Sequence, residues 1–187
     1  MNEIATTYCG AIKNMTGPSA RLHHEYHDTL YGFPLYDDHE LFGRLILEIN
    51  QAGLSWTTIL QKQEAFRNAY RNFNIDDVAS FGEKDVVRLL NDAGIIRNRL
   101  KIMAAIHNAR VILDLQKEAG SFSKWLDLHA QTDLNGWVTL FKKRFRFTGR
   151  EIVNEFLMST GYLPGAHHPD CPVYKKAMAQ QPAWTRK

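Results

Sequence analysis

Little in this sequence points to a secreted, membrane-spanning or fibrous protein. Cysteine is scarce: Cys9 and Cys171 are the only two, one near each end of 187 residues. Two cysteines do not make the disulfide framework of a small extracellular domain. No apolar run approaches the roughly 18 residues a bilayer-crossing helix needs. The opening Met1-Asn2-Glu3-Ile4-Ala5-Thr6 lacks the basic segment and apolar stretch of a secretory signal, so the cytoplasm is the expected compartment. Sustained strand-like alternation, internal repeats and low-complexity tracts are also missing. Charge of either sign is barely in excess, with 23 Lys and Arg against 20 Asp and Glu, a formal +3. That balance permits a nucleic-acid partner without requiring one. Hydrophobic residues at 44% and charged residues at 23% describe an ordinary globular chain, long enough for one domain with a sizeable core.

What is present is helical periodicity. Leu41, Phe42, Leu45, Ile46 and Ile49 recur at helical spacing over Asp38 to Asn50, predicting an apolar stripe with Glu48 at its edge. Ser55 is placed to cap a helix carrying Trp56, Ile59, Leu60, Phe66 and Tyr70, with a break expected near Asn72 to Asn74. Asp76 reads as the cap of a short helix through Phe81. Val86, Leu89, Leu90 and Ala93 share a face that Gly94 is expected to terminate. A long helix from about Asn98 to Gly120 follows, its stripe of Ile102, Ile106, Ala109 and Leu113 widened by Leu100 and Met103. Ser121 caps the segment with Phe122, Trp125 and Leu126. Asp133 to Gly149 is less periodic, and Arg150 to Thr160 reads as a further helix. Four prolines after Tyr162 predict a loop there, apart from a turn near Tyr174 to Gln180. The chain is therefore expected to be all-α.

Three groups of residues suggest chemistry. Cys9, His27, His167 and Cys171 offer two thiolates and two imidazoles, the donor set of a closed tetrahedral zinc site. His167 and Cys171 are four residues apart, whereas Cys9 and His27 are loosely spaced. The competing reading is two buried thiols in a chain with several surface histidines, His24 and His168 among them. Next, Tyr26 and Trp56 offer flat walls for an aromatic ligand, with Glu48 as a partly buried carboxylate beside them. Taken singly, each reads first as core packing or an ordinary ion pair. Last, the turn from Asn91 through Gly94, Ile96 and Arg97 to Arg99 and Lys101 joins two helices and aims backbone amides and cations at a phosphate. The run Lys142-Lys143-Arg144-Phe145-Arg146-Phe147-Thr148-Gly149-Arg150 sets five cations within nine positions, a basic patch interleaved with aromatics.

Together these segments resemble the DNA-3-methyladenine glycosylase I family of the helix-hairpin-helix DNA glycosylase superfamily. The resemblance lies in Tyr26-His27-Asp28 with Gly32, Glu48 with Gln51-Ala52-Gly53-Leu54-Ser55-Trp56, and Asp92-Ala93-Gly94-Ile95-Ile96-Arg97-Asn98-Arg99. It continues in Lys143 to Gly149 and in His167 with Cys171, running in order through most of the chain. It implies an all-α, two-lobed fold over residues 1–187. A terminal zinc-binding lobe would form from about 1–35 and 150–175, and a helical hairpin lobe from about 40–145. It implies a structural Zn2+ on Cys9, His27, His167 and Cys171, and a base pocket of Glu48, Tyr26 and Trp56. Gly94, Ile96, Arg97, Arg99 and Lys101 would meet the DNA backbone. The implied reaction is hydrolysis of the N-glycosidic bond of 3-methyladenine in alkylated double-stranded DNA, the damaged base being flipped out of the duplex. No strand cleavage, no membrane association and a monomer are expected.

The chain departs from the family pattern at Ala11, Leu30, Tyr31, Ile49 and Asn50. Ala11 and Tyr31 stand where tryptophans are usual, Leu30 replaces an acidic residue, and Ile49 adds bulk on the pocket helix. These departures keep two alternatives in view: a noncatalytic DNA-binding relative with a reshaped pocket, and a small-ligand helical protein with incidental basic clusters.

Overall fold

The computed structural model describes residues 7–186; the opening Met1 to Thr6, read above for a signal, lies outside them. Among the described residues the chain is all-helical, with no strand, and no helix is long and apolar enough to cross a membrane. The helices are α1 (Tyr8–Lys13), α2 (Ala20–Thr29), α3 (Asp38–Gln51), α4 (Trp56–Ala69), α5 (Ile75–Ser80) and α6 (Glu83–Asn91). They continue with α7 (Arg99–Ala119), α8 (Phe122–Leu128), α9 (Leu134–Arg144), α10 (Arg150–Ser159) and α11 (Pro172–Ala179).

Helix α3 is the axis of the fold. Ten consecutive residues, Leu41 to Asn50, are buried, because α4, α7, α8 and α10 all pack against it. A helix covered on every side has no solvent face on which to place its polar residues. Arg44 and Glu48, one turn apart, are therefore both forced into the interior. The N-terminus of α3 is equally committed. Asp37 accepts from the Glu40 amide, and the Asp38 carboxylate accepts from the amides of Phe122 and Ser123 at 2.8 and 2.9 Å, tying α3 to the first turn of α8.

Local cap chemistry sets most boundaries as predicted. Ser55, Asn98 and Ser121 each accept from amides in the first turn of α4, α7 and α8. Three boundaries differ. Asn74, not Asp76, caps α5, since its side chain reaches the Asp77 amide. Helix α6 stops at Asn91, with Asp92 as its extended cap. Gly94 is needed instead for close approach, since a Cβ there would lie 2.9 Å from that of Ala65. The expected C-terminal turn is the helix α11, because Pro172 occupies a first-turn position whose missing N–H is no loss. Leu100 and Met103 widen no stripe; they are exposed, at 71% and 40%.

The break after α4 is a short 3-10 turn, Arg71–Phe73, with left-handed backbone that drives the Phe73 ring against α3. Gly43 admits that ring: a Cβ at position 43 would lie 2.4 Å from it. Gly43→Ala is expected to destabilise the fold by about 1–3 kcal/mol through overpacking, measured by urea denaturation. An unchanged midpoint would mean that the contact is slack.

Candidate base pocket and metal centre

Cys9 Sγ, His27 Nε2, His167 Nδ1 and Cys171 Sγ, all on buried residues, lie within 4.8 Å of one another. The four sulfur–nitrogen separations are 3.3, 3.7, 3.7 and 4.0 Å. With metal–sulfur and metal–nitrogen bonds of about 2.3 and 2.0–2.1 Å, a zinc tetrahedron has an S···N edge of about 3.6 Å. The remaining ring nitrogens are oriented too: His27 Nδ1 is 2.6 Å from Asp28 Oδ1, and His167 Nε2 is 2.6 Å from the Tyr31 carbonyl oxygen. Those acceptors favour the tautomers that leave Nε2 and Nδ1 free to bind a metal. The residues present fit a metal ion, and all four predicted ligands come together. Neither His24 nor His168 belongs to the set.

Against this knot opens a cleft of about 510 Å³ lined by Tyr8, Tyr26, Tyr31, Glu48, Trp56 and Glu155, among others. Its position follows from the knot, since Tyr8, Tyr26 and Ala166 line the cleft and each immediately precedes a ligand, Cys9, His27 or His167. The structure brings Glu48, Tyr26 and Trp56 together as predicted, but not as two opposed walls. The Tyr26 and Trp56 ring centroids are 5.1 Å apart with planes inclined at 55°. A base between two rings needs two van der Waals spacings of about 3.5–4 Å each, so these rings form one corner of the cleft. Tyr8 and Tyr31, in edge contact at 5.2 Å, extend its aromatic lining.

Tyr8, Arg44 and Glu155 are functional candidates that the sequence reading did not single out. Tyr8 supplies an aromatic next to Cys9, where Ala11 is exposed and offers none. Its hydroxyl is 2.8 Å from His23 Nδ1, and His23 Nε2 is 2.8 Å from Thr57 Oγ1. Arg44 lies behind Tyr26, donating to its hydroxyl at 3.1 Å and to the Ser159 carbonyl oxygen at 3.3 Å, with its guanidinium 5.0 Å from the ring centroid. Its one readable signal was the four-residue offset from Glu48. The Tyr31 hydroxyl donates to Glu155 Oε2 at 3.4 Å. Ile49 does not crowd the cleft; it is buried in the main core.

Burial pushes the Glu48 carboxyl up to about 8; Arg44 opposes that rise and Glu155 adds to it. Burial also raises Glu155, with its Tyr31 hydrogen bond pulling the other way. The hydroxyls of Tyr8, Tyr26 and Tyr31 are raised by burial as well and stay neutral near pH 7. The carboxyls thus supply the negative charge in this lining. Such a site favours a flat ring that brings a positive charge of its own.

Beside the cleft, α6, the turn 92–98 and α7 form a hairpin braced by Lys62, whose Nζ donates to the Ala93 and Gly94 carbonyl oxygens at 2.9 and 3.1 Å. Arg97 is exposed and Ile96 half-buried. Arg99 is exposed but paired with Glu83 at 2.9 Å. The Gly94 amide is not available to a phosphate, since it donates to Asp92 Oδ1 at 2.7 Å. Lys101 corrects the expectation of a surface charge. It is 5% exposed, and its Nζ donates to the Asn50 and Ala52 carbonyl oxygens at 2.9 and 2.8 Å, capping α3. The same ammonium lies 5.8 Å from the Phe147 ring centroid, joining the basic segment to this turn. In that segment Phe145 and Thr148 are buried, whereas Lys142, Lys143, Arg146 and Arg150 are exposed.

The fold and site define a helical protein with a metal-capable knot at the back of a pocket suited to a flat cationic ring. Comparison with known proteins narrows the class. A family model described as methyladenine glycosylase matches residues 17–174. The chain is 37% identical to DNA-3-methyladenine glycosylase 1 of Escherichia coli over 168 residues, 80% of this chain and 89% of that protein. It is 32% identical to the Haemophilus influenzae DNA-3-methyladenine glycosylase over 167 residues, covering 79% and 90%. The structure of 3-methyladenine DNA glycosylase I from Staphylococcus aureus superposes with a TM-score of 0.79 at 32% identity, over 91% of this chain and 96% of that one. The chain belongs to the methyladenine glycosylase family.

The raised Glu48 carboxyl makes stability depend on pH. From about 4.5 to 8 the folded chain keeps a proton that the unfolded chain releases. The contribution is therefore full below 4.5 and is lost as pH rises through 8. Glu48→Gln, uncharged throughout, is expected to gain in melting temperature relative to the parent on going from pH 5 to pH 9. An equal difference at both pH values would assign the dependence to another group.

Proposed function

We propose that this chain is a base-excision-repair glycosylase that hydrolyses the N-glycosidic bond of 3-methyladenine in alkylated double-stranded DNA. The observation carrying this reading is the buried Glu48, held at high pKa in an aromatic cleft, in a chain of this family. Alkylation at N3 gives adenine a positive charge and makes it a good leaving group, so selection matters more than forceful acid catalysis. Flipped into the cleft, the cationic ring packs on the corner of Tyr26 and Trp56. Its charge favours ionisation of Glu48, which then accepts from the base edge. Neutral adenine brings no such charge and leaves a buried, protonated acid. Discrimination therefore rests on a proton that only the cation displaces.

Water is the nucleophile in this reading. The base is released without strand cleavage in this reading. The α6–α7 turn with Arg97 and Arg99, together with the basic segment Lys142 to Arg150, supplies the backbone-facing surface. Lys101 serves as the strut between them. We assign the whole chain to one glycosylase domain acting as a monomer, with residues near 1–35 and 150–175 gathered by the metal and 40–145 carrying the hairpin.

Incubation with methylated duplex DNA is expected to release 3-methyladenine above the spontaneous background, and Glu48→Gln to lower kcat/KM at least tenfold with the fold intact. Absence of release by the parent would remove the glycosylase reading, and an unaltered variant would remove Glu48 from it.

Zinc is the ion proposed for the Cys2His2 knot. When bound it supplies cross-linking of the chain ends and no step of the reaction, since four protein ligands leave no open position. Elemental analysis is expected to give one zinc per chain, and Cys171→Ser to lose the ion and lower the melting temperature by about 10 °C. A stable, metal-free parent indifferent to chelators would contradict this.

A further inference from the structure

Two features of the cleft are unaccounted for by a single carboxylate meeting a cationic base. Arg44 is 8% exposed and belongs to the same buried helix face as Glu48. Its guanidinium, always charged, is held by Tyr26 and Ser159 and acts on Glu48. If Glu48 were the only acid, the charge it takes on when a cation arrives would only cancel that of Arg44. A cationic ring would then enter a pocket of no net charge with a cation behind its wall. The second feature resolves the first. Glu155, half-buried on α10, lines the cleft and accepts from the Tyr31 hydroxyl at 3.4 Å. Tyr26 and Glu48 both feel the charges of Arg44 and Glu155, which places the four groups in one electrostatic unit. Glu151, one turn away on α10, also lines the cleft and raises Glu155, but it is exposed to solvent.

We propose that Glu155 is a second base-selecting carboxylate, whose charge offsets the buried Arg44 and restores the net negative charge that a cationic purine requires. With the cation bound and Glu48 ionised, two carboxylates against one guanidinium leave one net negative charge, which the alkylated base neutralises. Tyr31 is the positioning residue that turns the Glu155 carboxylate toward the cleft. The inference rests on the pocket reading above and specifies what the pocket selects: the positive charge of the base, sensed by two acids rather than one.

A double-mutant cycle tests this. The affinities of 3,9-dimethyladeninium, which carries a positive charge at neutral pH, and of uncharged 9-methyladenine are measured by calorimetry. The proteins are the zinc-loaded parent, Glu155→Gln, Arg44→Met and the double variant. Glu155→Gln is expected to reduce the preference for the cation about tenfold in the parent background and less than about threefold where Arg44 is already methionine. Tyr31→Phe, which keeps both charges, is expected to cost less preference than Glu155→Gln. Equal losses in both backgrounds, no loss at all, or a full-sized loss from Tyr31→Phe would overturn the proposal. Glu155→Ser replaces the glutamine variant where thermal denaturation shows the amide disturbing the fold. Release of 3-methyladenine from methylated duplex DNA is followed in parallel. A parent that releases no base but retains the charge coupling would defeat the glycosylase reading and leave the two-acid pocket standing.

Discussion

The Cys2His2 knot is the constraint on which the site depends. Its ligands come from α1, α2 and the segment before α11, so it joins the two ends of the described chain. The small cluster around Cys9, Cys171 and Val173 is separate from the main core. Three of the four ligands are immediately preceded in the chain by a residue that lines the cleft: Tyr8, Tyr26 and Ala166. Holding the ligands within 4.8 Å of one another therefore fixes three parts of the pocket lining at once. The link extends to a fourth part, because the carbonyl oxygen that orients His167 belongs to Tyr31. A shift of the knot would move the aromatic lining as a set.

The opposite side of the cleft is held by a different principle, complete burial. Helix α3 has no solvent face between Leu41 and Asn50, so any polar side chain there must find partners inside the protein. Arg44 finds Tyr26 and Ser159, and Asn50 donates to the Ile46 carbonyl oxygen at 2.8 Å. Glu48 has Arg44 and Ser159 acting on it and also faces the cleft, where a ligand can serve as a further partner. Burial that would be a defect in a core thus becomes selectivity at a pocket, because the carboxyl carries full charge only when a cation arrives. The pocket joins a wall tied by side-chain ligands to a floor formed by one rigid helix, and neither is a flexible loop.

The legible parts of the sequence were those governed by local chemistry. Ser55, Asn98 and Ser121 announce helix starts because a short polar side chain satisfies its own first-turn amides without tertiary help. The periodic stripe of α3 was readable for the same reason, as were the four soft ligands, two of which are the only cysteines of the chain. What escaped was set by neighbours distant in sequence. Lys101 sits in a basic stretch and looks solvated, yet the carbonyl end of α3 and the Phe147 ring meet over it. Glu155 resembles an ordinary exposed helix acid until the fold sets α10 beside Tyr31. The relation of Tyr26 to Trp56 was misjudged at the finest scale: the sequence placed two aromatics at one site, and only the packing of α2 on α4 decides whether they oppose or abut.

Lys101 also connects the cleft with the two surfaces proposed to meet the DNA backbone. Its two carbonyl bonds hold the end of α3 and the start of the turn in which Gly53 takes a left-handed φ of +82°, presenting Leu54 at 39% exposure. Its position at the beginning of α7 ties that turn to the α6–α7 hairpin, and its contact with Phe147 brings in the basic segment. Asn108, one helix face further along α7, grips the same segment by accepting from the Arg146 amide and donating to the Arg146 carbonyl oxygen. Three surface segments are thus anchored to one helix rather than to each other. In the glycosylase reading proposed above, a backbone gripped by the hairpin would meet the pocket turn in a fixed register, with the distance from phosphate to pocket set before DNA arrives. Base flipping is costly unless the extruded base finds its pocket immediately, and a buried ammonium serves that end better at this position than one more exposed charge.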